Sequence, residues 1–298
     1  MTETILITGA SGFLGKRIVR FLQRTSDAYL LTTSRQQESF PNHLVRDLSE
    51  ATAELTANVD TVIHFAGLAS HKKGSEDEFH EANVTNTINV AKAAIESNVK
   101  RFIFISTTDV HGTESQLPLT EASPLKPKGA YAQSKLAAEE ALRALCKDSE
   151  MNLIILRLPL IYHIDAVNEF GQYVQIVKEN CPLPLDRINN QRTLLALRNF
   201  ESALNAVLYQ PEIQNETMII ADNMSLSTTE MMKGIAVAAV TTIKLFYAPK
   251  LLAKTAMKFT GKTAFFDTFW GDYQVSSQYA QKLLKWQPSD DYVVNLSK

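Results

Sequence analysis

Ile5-Leu6-Ile7-Thr8-Gly9-Ala10-Ser11-Gly12-Phe13-Leu14-Gly15 decides how this chain is read. The apolar run predicts a buried parallel strand, which breaks into three evenly spaced glycines. Leu14, Ile18, Phe21 and Leu22 then recur at helical spacing, so a helix follows the loop. Strand, glycine turn and helix together suit a dinucleotide pyrophosphate. Glycine permits positive φ and close backbone approach, and a helix N-terminus offers N–H groups to an anion. Gly9, Ser11, Gly12, Phe13, Leu14 and Gly15 are therefore the first candidate cofactor residues. The spacing is G-x-x-G-x-x-G, not the G-x-G-x-x-G of the general fingerprint, and an ordinary glycine-rich turn is the competing reading.

Working outward, Ala28–Ser34 reads as the second strand, and the residues at its end bear on the cofactor. Binders of the non-phosphorylated dinucleotide place an acid there, about 20 residues past the loop, for the ribose 2′-OH. Here stand Ser34 and Arg35, with no acid before Glu38. A hydroxyl and a guanidinium suit a 2′-phosphate, so the expected cofactor is NADP, with NAD the alternative. His43–Val45 is a short third strand, with Asp47 and Leu48 placed to border an adenine. Val59–Phe65 is the fourth, closing on Phe65, Ala66 and Gly67, where small residues admit a ligand. Asn83 to Ala94 has helical periodicity, Arg101–Ile105 is the fifth strand and Leu153–Leu158 the sixth. Such alternation predicts an α/β fold, a Rossmann-type doubly wound parallel sheet. Beyond Tyr162 it stops, and a smaller C-terminal α/β lobe is expected to supply substrate contacts. The predicted boundaries are 1–160 and 161–298, with a return to the first domain near 194–212. Gly234–Ala248 is apolar but interrupted by Lys244 and too short to span a bilayer; it predicts a buried helix.

Composition narrows the function classes. A chain of 298 residues with 45% apolar and 21% charged content supports a large core. A net charge of −2 argues against nucleic acid or an anionic membrane as partner. Cys146 and Cys181 lack metal-ligand spacing, so no metal is expected and a reducing, cytoplasmic setting fits. The opening strand has no basic flank, so a secretory signal is not expected.

Tyr131 and Lys135 lie four apart at a predicted helix start, on one face. Tyrosine is a poor base at neutral pH, but a nearby ammonium favours its phenolate. Such a pair can move a proton at an alcohol oxygen while hydride moves at its carbon. Y-x-x-x-K alone also occurs on exposed helices; here it follows the glycine loop and the hydroxyl cluster Ser106–Thr108 at a strand end.

With these residues in view, the chain resembles the extended short-chain dehydrogenase/reductase family. The likeness rests on Thr8–Gly15, Asn83, Thr107, Tyr131-x-x-x-Lys135 and Arg157-Leu158-Pro159-Leu160-Ile161-Tyr162. Within that family it resembles the nucleotide-sugar epimerase/dehydratase/reductase branch. The resemblance implies an NAD(P)-binding Rossmann domain, a nucleotide-sugar-binding lobe, a Thr107–Tyr131–Lys135 catalytic set and a homodimer. It also implies cofactor contacts reaching Asn83, Tyr131, Lys135 and Leu158. Val110-His111-Gly112 matches the family's V-Y-G, which makes Thr107 the catalytic hydroxyl, with Thr108 the near alternative. His111, in place of the usual tyrosine, is either a substrate neighbour or a structural histidine.

Leu183-Pro184-Leu185 with Asn190-Gln191-Arg192-Thr193-Leu194 is similar to a segment of UDP-2-acetamido-2,6-dideoxyhexulose 4-reductases. This implies that Arg192, and Asn168 displaced by one, face the diphosphate of a UDP-linked sugar. The paired acids of the 4,6-dehydratases are missing from Thr107-Thr108-Asp109, which disfavours dehydration. The expectation is a 4-keto-sugar nucleotide reductase. A 4-epimerase with retained NAD is the alternative, and a non-catalytic dinucleotide sensor the rival from another class.

Overall fold

The apolar run after the N-terminus forms the first strand, β1 (Thr4–Thr8), with Ile5, Leu6 and Ile7 buried on both faces. This is the burial expected of a central parallel strand. The structure is a computed structural model describing residues 2–40, 42–69, 74–115, 117–250 and 269–297. By its internal contacts the chain divides into two compact units.

The first unit comprises Met1–Gly112, Pro124–Leu158 and Val207–Met218. Its strands are β1, β2 (Tyr29–Ser34), β3 (His43–Val45), β4 (Thr61–His64), β5 (Arg101–Thr107) and β6 (Asn152–Leu158). They pair in parallel in the order β3-β2-β1-β4-β5-β6, and Thr217–Ile219 adds a seventh strand at the β6 edge. Strand order reverses between β1 and β4, so the crevice at their carboxyl ends is the topological switch point where ligands of such sheets bind. The helices are α1 (Phe13–Thr25), α2 (Ala53–Thr56), α3 (Glu76–His80), α4 (Asn86–Glu96) and α5 (Gly129–Cys146). Leu6, Val62, Phe102, Phe104, Val90, Ala94, Ala138 and Leu142 share one core cluster between sheet and helices.

Two helices depart from the sequence expectation. The helix expected from Asn83 begins earlier, at Glu76, where Ser75 and Glu78 close a reciprocal capping box. Its backbone then widens into a π-helical turn over Glu81–Thr85 before α4, which turns Asn83 into the core. The buried helix expected over Gly234–Ala248 is shorter: it runs over Thr228–Ala238. Thr241 N–H closes back on Ala236 O, and Val240 takes a left-handed φ of +50° at 94% exposure. Leu245 and Phe246 then run extended against Leu183.

The second unit comprises Thr113–Ser123, Pro159–Ala206 and Ile219–Lys298. Ile161–Tyr162 pairs in parallel with Leu195–Ala196, and Arg192–Thr193 pairs antiparallel with Ser225–Leu226. The proline-rich loop is anchored here, where Leu119 pairs with Val275 and Glu121 accepts from Ile219 N–H. No described helix is long and apolar enough to cross a membrane.

Candidate active site

The glycine loop has the shape a pyrophosphate requires. Gly9 sits at φ +69°, and a Cβ there would lie 2.6 Å from the Ala66 backbone nitrogen. A Cβ on Gly15 would run into the Gly9 carbonyl oxygen, so helix, loop and the end of β4 pack at backbone distance. Gly12 caps α1 with no side-chain hydrogen bond, and no acidic residue stands in the first turn. That leaves the positive end of the helix for an anion from outside the chain, and a dinucleotide fits it. Ser11, Phe13, Leu14, Phe65 and Ala66 are half-buried around it, and Gly67 is exposed.

At the end of β2, Ser34 is turned inward. Its hydroxyl donates to Gln36 O at 2.7 Å and lies 3.2 Å from His43 Nε2. Arg35 is exposed. Asp47 accepts from Ser49 N–H at 3.0 Å; that bond, helped by the Arg35 charge, holds its carboxyl below the usual value. Leu48 is buried in the core cluster. Lys16, beside the last loop glycine, pairs with Glu38 at 3.0 Å.

The expected proton-transfer residues come together where β5 ends and α5 begins. The Thr107 hydroxyl stands near enough to the Tyr131 phenol to act on it, and its Oγ1 accepts from Asp109 N–H at 3.2 Å. Burial, reinforced by the negative charge of Asp109, pushes the Tyr131 phenol above its ordinary value, and the Thr107 hydroxyl opposes the shift. Thr108 is fully buried, and among the described residues its Oγ1 has no partner. Of the two candidate hydroxyls, Thr107 is therefore the one that meets the tyrosine. One turn along α5, Lys135 is 6% exposed with Nζ 4.0 Å from the centre of the Phe104 ring. Burial pushes this ammonium down to about 7, and the Glu139 carboxylate works against that. Leu158, at the end of β6, is buried beside the end of β5.

Asn83 ties these parts together. Thr87 Oγ1 donates to Asn83 O at 2.7 Å, so it accepts from His64 Nε2 at 3.0 Å. His64 Nδ1 then accepts from Thr8 Oγ1 at 2.9 Å. Burial, then the Lys135 charge, hold His64 neutral, down to about 3. Asn83 Nδ2 donates to Ser134 Oγ at 2.9 Å, and Ser134 donates to Tyr131 O at 2.8 Å. A directed hydrogen-bond chain thus runs from the last residue of β1 to the first turn of α5. Asn83 is legible in the sequence; for His64 the available signal is a histidine inside an apolar strand.

His111 is a structural neighbour of this cluster. Arginine can only donate, so His111 Nε2 accepts from Arg157 Nη1 at 3.0 Å, and Nδ1–H faces Pro124 O at 3.3 Å. In the second unit, Asn168 caps the helix Glu169–Lys178: its Oδ1 accepts from Phe170 N–H and its Nδ2 donates to Ile161 O. Arg192 is half-buried, and its Nη1 donates to Gly271 O at 3.4 Å.

Residues 5–169 match the model of the NAD dependent epimerase/dehydratase family. The chain belongs to that family. As a member of that family it is an enzyme. A UDP-glucose 4-epimerase of Vibrio cholerae is 30% identical over 300 residues, covering 97% of this chain and 92% of that protein. Among solved structures, UDP-N-acetylglucosamine 4-epimerase from Bacillus cereus superposes with a TM-score of 0.81 at 20% identity, over 99% of this chain and 94% of the other. UDP-glucuronic acid 4-epimerase from Bacillus cereus, in complex with NAD, gives 0.79 at 18% identity, over 98% and 96%. At such identities these structures speak for the fold alone, and the fold is the one the glycine loop predicted.

Proposed function

We propose that the protein carries out hydride chemistry at C4 of a UDP-linked sugar, as a nucleotide-sugar 4-epimerase. The observation that carries this reading is the Thr107 hydroxyl beside the Tyr131 phenol, one helical turn from the buried Lys135, in a chain similar over 97% of its length to a UDP-glucose 4-epimerase. A bound dinucleotide would supply reversible hydride transfer at C4. Gly9, Gly12 and Gly15 would seat its pyrophosphate, and Arg35 would lie at its adenosine end. Tyr131 takes the proton of the C4 hydroxyl as hydride leaves and gives it back as hydride returns. Thr107 donates to the same oxygen, and the Lys135 ammonium offsets the negative charge on the phenolate.

A second reading, the 4-keto-sugar nucleotide reductase expected from the sequence, is favoured by Arg35, whose exposed guanidinium suits the 2′-phosphate of NADPH. One experiment separates the two. Purified protein is given UDP-glucose, UDP-N-acetylglucosamine and a 4-keto UDP-sugar, with NADPH absorbance and sugar products followed together. C4 epimers without net NADPH oxidation support the epimerase, and stoichiometric NADPH loss on the keto sugar supports the reductase. Neither outcome on any UDP-sugar sinks the substrate assignment.

A further inference from the structure

The buried stripe of α5 holds a feature that proton transfer by Thr107, Tyr131 and Lys135 does not use. Its buried residues are Ala132, Ser134, Lys135, Ala138, Glu139, Leu142 and Cys146, so a lysine and a carboxylate stand one turn apart on the buried side of the helix. Glu139 is completely buried. A carboxylate removed from water persists only where donors replace it. Here they come from three elements. Ser106 Oγ, from β5, donates to Oε1 at 2.6 Å. Arg157, from β6, donates through Nε to Oε1 at 3.0 Å and through Nη2 to Oε2 at 2.6 Å. Arg143, on α5 itself, reaches Oε2 at 3.1 Å. Burial opposes ionisation, yet Arg157, Ser106 and Arg143 together hold the carboxyl below its ordinary value.

Alternation along β5 gives this arrangement its direction. Phe104 and Ser106 lie two apart and share a face, on which Phe104 meets Lys135 and Ser106 meets Glu139. The titratable groups around Lys135 are thus the Glu139 carboxylate and the neutral Tyr131 phenol on its own helix, with Asp109 acting on Tyr131; neutral His64 lies on the β4 side, and Arg157 stands beyond Glu139 on β6.

We propose that Glu139 is a positioning residue for the reaction: fixed by Arg157, Ser106 and Arg143, its carboxylate keeps the neighbouring Lys135 ammonium charged and sets the pH above which turnover fails. The inference rests on the assignment of Lys135 to the proton-transfer set. Lys135 loses its proton as pH rises, and its ammonium is the form that supports the Tyr131 phenolate. Activity therefore has an alkaline limb governed by Lys135, and removal of Glu139 moves that limb to lower pH.

Glu139→Gln alone leaves a buried, uncompensated Arg157 and confounds charge with folding. The informative variant is Glu139→Gln with Arg157→Met, which neutralises both partners at similar volume, a replacement that buried ion pairs often tolerate. Glu139→Asp, which keeps both ions and draws the charge back by one methylene, is the companion should the double variant not fold. Two profiles are recorded from pH 6 to 10: kcat on the UDP-sugar that the wild type turns over, and the dissociation constant of NADH. The double variant is expected to unfold cooperatively like the wild type, with the alkaline limb of both profiles lowered by at least about half a pH unit. Glu139→Asp should move them in the same direction by less. Limbs unchanged in a folded variant overturn the proposal and leave the ion pair a structural tie between β5, β6 and α5. The NADH profile needs no sugar, so a wild type that turns over no UDP-sugar sinks the substrate assignment while this inference is still decided.

Discussion

Lys135 Nζ lies 4.0 Å above the Phe104 ring, so the ammonium expected to serve the reaction is held against an aromatic face inside the core. A desolvated cation gains about 2 kcal/mol from such a ring, and only while it is charged. Burial has pushed Lys135 down to about 7 from an unfolded value of 10.5. In the folded state the contact therefore works below about pH 7 and fades above it. Phe104→Leu keeps much of the apolar volume and removes the ring. Its destabilisation in urea titrations should be larger at pH 6 than at pH 9, by about 1–2 kcal/mol. An equal cost at both pH values would mean that the ring contributes packing alone.

Tyr131→Phe keeps the ring edge against Phe79, whose centroid is 6.2 Å away, and removes the proton. Turnover on a UDP-sugar substrate should fall by about 10²- to 10⁴-fold, with the NADH dissociation constant within about threefold of wild type. Thr107→Ala should lower kcat less and leave KM nearly unchanged, because Thr107 bonds the reacting oxygen rather than carrying its proton. Wild-type turnover in Tyr131→Phe would remove the tyrosine from the mechanism.

Arg35 and Ser34 separate in a cofactor competition. The Ser34 hydroxyl is engaged with Gln36 O and His43, whereas the Arg35 side chain is exposed. A lost charged contact to a 2′-phosphate costs about 1.5–3 kcal/mol, or roughly 10- to 100-fold in affinity. Arg35→Ala should lower the NADPH-to-NADH affinity ratio by that factor, and Ser34→Ala should leave it unchanged. Fluorescence titration of both cofactors against the three proteins decides it. A ratio insensitive to Arg35 means that this end of β2 does not discriminate.

Much of the first unit was legible because its parallel strands are nearly uninterrupted apolar runs. Ile5–Ile7, Phe102–Ile105 and Leu153–Leu156 are buried on both faces, and no other element produces that pattern between glycine and helix signals. Tyr131 and Lys135 were legible through their fixed spacing on a helix. What escaped were properties that only packing creates. No residue of Glu81–Thr85 announces a π turn, yet that turn aims Asn83 at Ser134. Ser34 reads as a ligand hydroxyl until His43 is seen beside it. Glu139 did carry a signal, since one more helical turn after Tyr131-x-x-x-Lys135 puts an acid on the buried stripe. Its partners Ser106 and Arg157 lie 33 and 18 residues away, and only the sheet brings them together. In the second unit, the composition of Gly234–Ala248 predicts one helix, which instead ends at Ala238, just before the left-handed Val240.

Asp222 gives the second unit a pH dependence of defined sign. Its carboxyl is 3% exposed and accepts from Tyr162 Oη at 2.8 Å, Asn199 Nδ2 at 2.7 Å and the Ala196 N–H at 3.1 Å. Asn199 in turn exchanges hydrogen bonds with the Ser289 backbone, so the carboxyl anchors the C-terminal segment. Burial outweighs these donors and pushes Asp222 up to about 6 from 3.8. A carboxyl raised in the folded state contributes stability in full below its unfolded value and loses it as pH rises through the folded one. The contribution should be complete below about pH 4 and gone above about pH 6, a change of about 3 kcal/mol. Both tryptophans, Trp270 and Trp286, lie in this unit and report its unfolding. Asp222→Asn cannot titrate, and its amide sets a donor against donors, so it should be less stable than wild type at pH 4. The gap between the two should narrow by about 3 kcal/mol at pH 7, where the wild type holds a buried charge. A gap that widens with pH would mean that the hydrogen bonds, rather than burial, govern Asp222.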